Sequence, residues 1–206
     1  MKRLLKIFFA FIVVLTSLNG KGLTFKLPTV QGKTIEVSEL KNGLNFKNFK
    51  GKVVLLEFWG THCPPCLYSI NKYKQLLNEY KDKVAMVAIE VQMTPRDKLK
   101  EFVKRAGINY NVVAQEDARD FVAYVAQRAQ WSGSIPFLII LDRDGEVLDI
   151  KTGFSPNEFE HIKAVIKYAY KEKSVNKENN NTKDVNNTDT NSTKKVETKK
   201  DNNSSK

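Results

Sequence analysis

The chain has 206 residues, 41% of them hydrophobic and 28% charged, with a formal net charge of +11 and two cysteines. That is enough apolar material for one domain with a buried core, and two cysteines are too few for a disulfide-stapled scaffold. The charge does not mark a nucleic-acid binder: Lys2, Arg3 and Lys6 sit in the first 20 residues, the last 33 carry seven Lys against five Asp and Glu, and the rest is spread along the middle without a basic run interleaved with aromatics.

The first 20 residues pair a basic start with an unbroken apolar run over 7–15 and a small-residue exit, Thr16-Ser17-Leu18-Asn19-Gly20. This pattern predicts a secretory signal, and the run is too short for a membrane span of about 20 apolar residues. Leu18 spoils a small-x-small cleavage site, so the signal is either removed or retained as an anchor. No cysteine stands near the exit to take a lipid. Export into the periplasm follows.

Residues 22–173 are expected to form the domain. Alternating stretches around Gln31-Gly32-Lys33 within 24–37 predict a β-hairpin, whereas 38–49, broken by Asn42-Gly43, has no clear pattern. Residues 53–58 are apolar on both faces except for Glu57, as in a parallel strand covered on both sides. A helix follows over 65–80, with Ile70, Tyr73, Leu76, Leu77 and Tyr80 on one side. A second buried strand is expected over 84–91. Thr94-Pro95 should cap a helix that ends at Gly107. Then come a short strand over 108–113 and a helix over 118–130. Strands over 137–141 and 146–152 flank the turn Asp142-Arg143-Asp144-Gly145. Ser155-Pro156-Asn157-Glu158 should cap a last helix reaching about Lys171. Alternation of strands and helices with a closing hairpin gives an α/β class with a mixed sheet.

From 174 to 206 there is no aromatic residue, Leu or Ile, and such a segment is expected to be a disordered polar tail. Four acid-x-Asn-x-Ser/Thr patterns lie in it, centred on Asn180, Asn186, Asn191 and Asn203. They resemble the extended acceptor signal of bacteria that N-glycosylate exported proteins.

The chemistry concentrates at Cys63-Pro64-Pro65-Cys66, immediately after the apolar strand. A disulfide closing so small a loop removes little entropy from the unfolded chain, so stabilisation does not explain it. A zinc site would need about four ligands and would have to enlist both cysteines, His62 and His161. Thiol-disulfide exchange needs only the two cysteines. At a helix N-terminus the first sulfur meets unpaired N–H groups and the positive end of the helix dipole, which favour its thiolate. Glu57, in the middle of a buried strand, should have a raised pKa or a partner such as Lys52.

The run from Gly51 to Cys66, the pair Ile135-Pro136 and the stretch from Phe137 to Gly145 resemble thioredoxin-fold proteins over 23–170. The closer resemblance is to the periplasmic TlpA/ResA-type thiol-disulfide oxidoreductases. It implies a mixed central sheet flanked by helices, extended here by the N-terminal hairpin, and a monomeric enzyme needing no cofactor or metal. Cys63 would attack, Cys66 would resolve, and Glu57 would relay a proton as the buried acid of thioredoxins does. Pro136 would be cis and packed on the dithiol. Trp59 and Trp131 would rim the site, with core packing the equal alternative for Trp59, and the Ile135 backbone would pair with a substrate strand. Three departures stand out: His62 where the family often has Trp, Ser69 in place of an acid found in members serving cytochrome c maturation, and an insertion at 41–49. The expected role is a reductase of client-protein disulfides supplied by a membrane thiol-disulfide electron donor. The competing roles are a general oxidant or isomerase, or a copper or metal carrier.

Overall fold

A computed structural model describes the backbone of residues 22–185 and the side chains of residues 22–171. The expected signal, and Asn186, Asn191 and Asn203, lie outside these residues. Along the chain come β1 (Thr24–Pro28), β2 (Thr34–Leu40), β3 (Gly43–Phe46), β4 (Val53–Trp59), α1 (Pro64–Glu79), β5 (Val84–Glu90), α2 (Arg96–Arg105), β6 (Asn111–Ala114), α3 (Arg119–Arg128), β7 (Phe137–Leu141), β8 (Val147–Thr152) and α4 (Glu158–Val185).

β4 is buried at every position because it lies at the centre of a five-stranded sheet of order β6-β5-β4-β7-β8. It pairs in parallel with β5 and antiparallel with β7, Glu57 standing opposite Ala88 and Leu138. Alternate residues point to opposite faces. Val53, Leu55 and Trp59 pack with Cys63, Cys66 and Tyr73 on one side, together with Leu99 of α2 and Ile162 of α4. Val54, Leu56 and Phe58 pack on the other side against Phe121 and Val125 of α3 and against the small N-terminal sheet. A continuous apolar strand is thus the sequence signature of two covered faces.

The thioredoxin fold expected from the motifs is the one observed, and the N-terminal hairpin is present with one strand more. β3 joins β2 antiparallel, so the segment that has no clear pattern in the sequence completes a three-stranded sheet. Its attachment rests on two glycines. The Leu44 N–H donates to the Gly145 carbonyl at 2.9 Å, and a Cβ on Gly43 would come within 2.0 Å of that oxygen. Gly145 itself, with φ of +90°, would place a Cβ within 2.3 Å of the Leu44 carbonyl. At the other end Arg96 donates to the Pro28 and Thr29 carbonyls and pairs with Asp117, tying β1 to α2.

Two helix limits differ from expectation. α2 starts after Pro95 without a side-chain cap, because the Thr94 hydroxyl is committed to Glu90. α4 continues past Lys171 to Val185, so its last turns occupy residues 174–185 assigned by composition to the tail. No Gly or Pro interrupts that stretch, and its Lys and Glu residues are good helix formers. Asn180 accordingly lies on helical backbone. Among the described residues no helix is long and apolar enough to cross a membrane.

Candidate active site

Cys63 is the N-cap of α1, and its sulfur accepts the Cys66 N–H at 3.3 Å. Pro64 and Pro65 fill the first turn, where a missing N–H leaves no intrahelical bond unmade. The two sulfurs are joined at 2.04 Å. Cys63 is the outer member of the pair, at 6% exposure against 2% for Cys66. The Ile135-Pro136 peptide is cis, and the Pro136 carbonyl accepts the Gly153 N–H at 2.8 Å. That bond holds the loop after β8 beside the proline.

Residues 19–150 match the family described as AhpC/TSA. The chain belongs to that family. Among curated relatives it is 29% identical over 134 residues to the thiol-disulfide oxidoreductase ResA of Halalkalibacterium halodurans, covering 65% of this chain and 67% of the relative. It is 31% identical over 133 residues to ResA of Bacillus subtilis, covering 63% and 64%. The match therefore spans about two thirds of each relative's length. Two solved structures share the fold. StoA of Bacillus subtilis superimposes with a TM-score of 0.52 at 20% identity over 70% of this chain and 96% of its own. The exposed lipoprotein thioredoxin of Streptococcus pneumoniae does so with a TM-score of 0.54 at 22% identity over 71% and 99%.

Glu57 projects between Leu55 and Trp59 to the side of β4 that carries the dithiol, and it is 3% exposed. Burial first, and then the Glu158 carboxyl, push its pKa well above the ordinary carboxylate range, against a smaller pull from the hydrogen bond of the Tyr73 hydroxyl. Its Oε1 has no hydrogen-bond partner among the described residues. Lys52, the partner considered from the sequence, lies instead with Phe46, Phe49 and the 142–145 turn around a surface depression. Glu158, read from the sequence as a helix cap, is a second buried carboxyl, raised by burial and partly lowered by Lys151. It also borders a surface depression with Lys151, Phe154 and His161. Glu57 thus has neighbours leading from the core toward water.

The rim differs from the one expected. Trp59 is 1% exposed and packs at a tilt on Phe102 of α2, so the core alternative holds: it lies beneath the dithiol and cannot touch a client. Both faces of β4 are covered, and a strand of that kind turns even its last aromatic inward. Trp131 is half-buried on the opposite side of the sheet, stacked 4.9 Å from Phe137, with its Nε1 donating to the Ser134 carbonyl. That anchors the loop leading to Ile135, itself half-buried before the cis bond. The exposed apolar side chains closest in sequence to the cysteines are Leu67 and Tyr68. Tyr68 meets Phe154 edge-on at 5.3 Å. Ser69 is buried and turned back on the Pro65 carbonyl at 3.1 Å.

Sequence reading also passed over Glu90, at the end of β5 beside Trp59. It is 0% exposed, and both its oxygens are engaged. Oε1 accepts the Gln92 N–H at 3.2 Å and the Thr94 hydroxyl at 2.8 Å, and Oε2 accepts the Thr94 N–H at 3.1 Å. Met93, with φ of +61°, makes the bend that turns both N–H groups inward. The side chain of Gln92 crosses over Gly60, where a Cβ would come within 2.2 Å of it, and accepts the His62 N–H at 2.8 Å. An acidic residue closing a strand beside a Thr-Pro helix start gives no sign of this in sequence.

Proposed function

We propose that this thiol-disulfide oxidoreductase works outside the cytoplasm as a reductase of disulfides in client proteins. The observation that carries the reading is Cys63 at the N-cap of α1, its sulfur accepting a backbone N–H, which is the environment that favours a thiolate. Reduced Cys63 attacks a client disulfide and forms a mixed disulfide. Cys66, giving its proton to Glu57, then attacks the Cys63 sulfur and releases the client dithiol. This leaves the bonded pair seen here. A carboxyl whose pKa burial holds well above the ordinary carboxylate range suits that proton transfer. Pro136, Ile135 and the Tyr68–Phe154 pair form the face against which a client strand lies.

Export is supported by the basic-apolar start of the chain, and the naming of the relatives as ResA fits a membrane thiol-disulfide donor upstream. The protein acts as a monomer without metal or cofactor. Asn180, Asn186, Asn191 and Asn203 carry glycan in the native host, which an intact mass equal to the bare polypeptide would refute.

The reduction potential tests the direction of electron flow. A value near about −270 mV marks a reductase, whereas one near about −120 mV would make the protein an oxidant. The roles of the two sulfurs are tested by trapping. Cys66→Ser should accumulate mixed disulfides with clients and Cys63→Ser should not, and equal trapping by both would overturn the assignment.

A further inference from the structure

We propose that Glu90, Thr94 and Thr61 form a hydrogen-bond relay that fixes His62 with its proton on Nδ1, leaving Nε2 as the acid-base nitrogen for the sulfur that leaves during exchange. The inference rests on the thiol-disulfide chemistry above and adds a residue to it.

The direction of every bond in the relay follows from counting protons. The Oε1 of Glu90 accepts the Thr94 hydroxyl at 2.8 Å, and both Glu90 oxygens already accept a backbone N–H, so the carboxyl acts as an acceptor. A threonine hydroxyl has one hydrogen to give. Thr94 gives its hydrogen to Glu90, so the 2.7 Å contact between the Thr94 and Thr61 hydroxyls is donated by Thr61. Thr61 has then spent its own hydrogen. Its 3.1 Å contact with Nδ1 of His62 must be donated by the ring. The far end of the chain therefore selects the tautomer, as the partner of one ring nitrogen does for the other.

The rest of the geometry holds the ring in place. Glu90 is buried and cannot swing, and the His62 N–H is pinned to Gln92 of the same loop. That loop is bent at Met93 so that its N–H groups face Glu90. The ring is on the exposed side of the segment, one residue before Cys63. Nε2 has no partner among the described residues and is the nitrogen open to a client. Thr61, Thr94 and Glu90 are positioning residues, since they act only through His62.

The step balances as follows. The Cys63 thiolate attacks one client sulfur, a new S–S bond forms as the client S–S bond breaks, and the electron pair departs on the second client sulfur. The proton on Nε2 of the imidazolium passes to that sulfur, giving a neutral thiol and a neutral ring with Nδ1–H still donated to Thr61. Protonated or neutral, the ring keeps the same bond to the relay, so no rearrangement accompanies the transfer.

The test compares two small disulfides with the reduced full-length protein. Glutathione disulfide expels an alkyl thiolate that gains from protonation, whereas dithiobis(nitrobenzoate) expels an aryl thiolate stable without a proton, so thiolate reactivity of Cys63 cancels in the ratio of the two rates. His62→Gln should lower the glutathione-to-aryl rate ratio about tenfold, and Thr61→Val, which keeps the imidazole but removes its anchor, about threefold. Imidazole nitrogen NMR of labelled wild-type protein should show the Nδ1–H tautomer, with Thr61→Val losing that preference. A ratio unchanged in both variants, or an Nε2–H tautomer in the wild type, overturns the proposal. Should the wild-type protein react with neither disulfide, the dithiol chemistry itself fails, an outcome separate from failure of the relay.

Discussion

Glu57 and Glu90 stand at comparable depth in adjacent strands, at 3% and 0% exposure, yet the chain treats them in opposite ways. Glu90 meets two backbone N–H groups and a hydroxyl. Glu57 meets a single tyrosine hydroxyl and a second carboxyl, and one of its oxygens has no partner among the described residues. Burial alone therefore does not decide what a carboxyl can do. A fully bonded one is a fixed part of the frame, and an under-bonded one costs stability and is available to take up or give up a proton.

Removing each side chain should break this symmetry of depth. Glu90→Leu leaves two part-buried N–H groups and the Thr94 hydroxyl without their acceptor, and should cost about 3–5 kcal/mol in urea unfolding. Loss of less than about 1 kcal/mol would show that the loop finds other partners. Glu57→Leu should go the other way, gaining about 1–4 kcal/mol by replacing an under-bonded ionisable group with an apolar one. The same variant should resolve mixed disulfides more slowly near neutral pH, by about tenfold or more. Unchanged resolution kinetics in a folded Glu57→Leu protein would remove the residue from the mechanism.

The pH dependence sharpens the contrast with the smallest effect. The folded-state pKa of Glu57 is raised, as is that of Glu158, so the native state keeps protons that the unfolded chain sheds near pH about 4.3. The stability these groups contribute is complete below that value and is lost as pH rises through their folded values. Unfolding followed from about pH 4 to 8 should thus show a downward slope worth about 1.4 kcal/mol for each unit by which a folded pKa is raised, and Glu57→Leu should flatten it. An equal slope in the variant would assign the effect to other groups.

Patterns that are local in the chain were readable from it: the apolar strand, the dithiol at the following helix start, and Ile135-Pro136 ahead of the last hairpin. Each is a short run whose meaning does not depend on distant contacts. Trp59 was not readable in this way. Its strand is apolar on both faces, and nothing in Phe58-Trp59-Gly60 shows that the indole ends beneath the cysteines against Phe102. β3 has four residues, too few for an alternation to register. Glu158 sits where a helix-capping acid is ordinary, so only the fold, by bringing α4 over β4, reveals it as a neighbour of Glu57. Thr94 looked like a cap for α2 because sequence cannot show a hydroxyl already engaged by the strand before it.

The two facing glycines of the N-terminal sheet decide how this domain could be rebuilt. Gly43 and Gly145 meet backbone to backbone, one at the start of β3 and the other in the turn between β7 and β8. β3 is therefore not a cassette that can be moved to another sheet by carrying its own residues alone. The recipient needs the matching bare turn as well, and an alanine at either position would prise open the same seam.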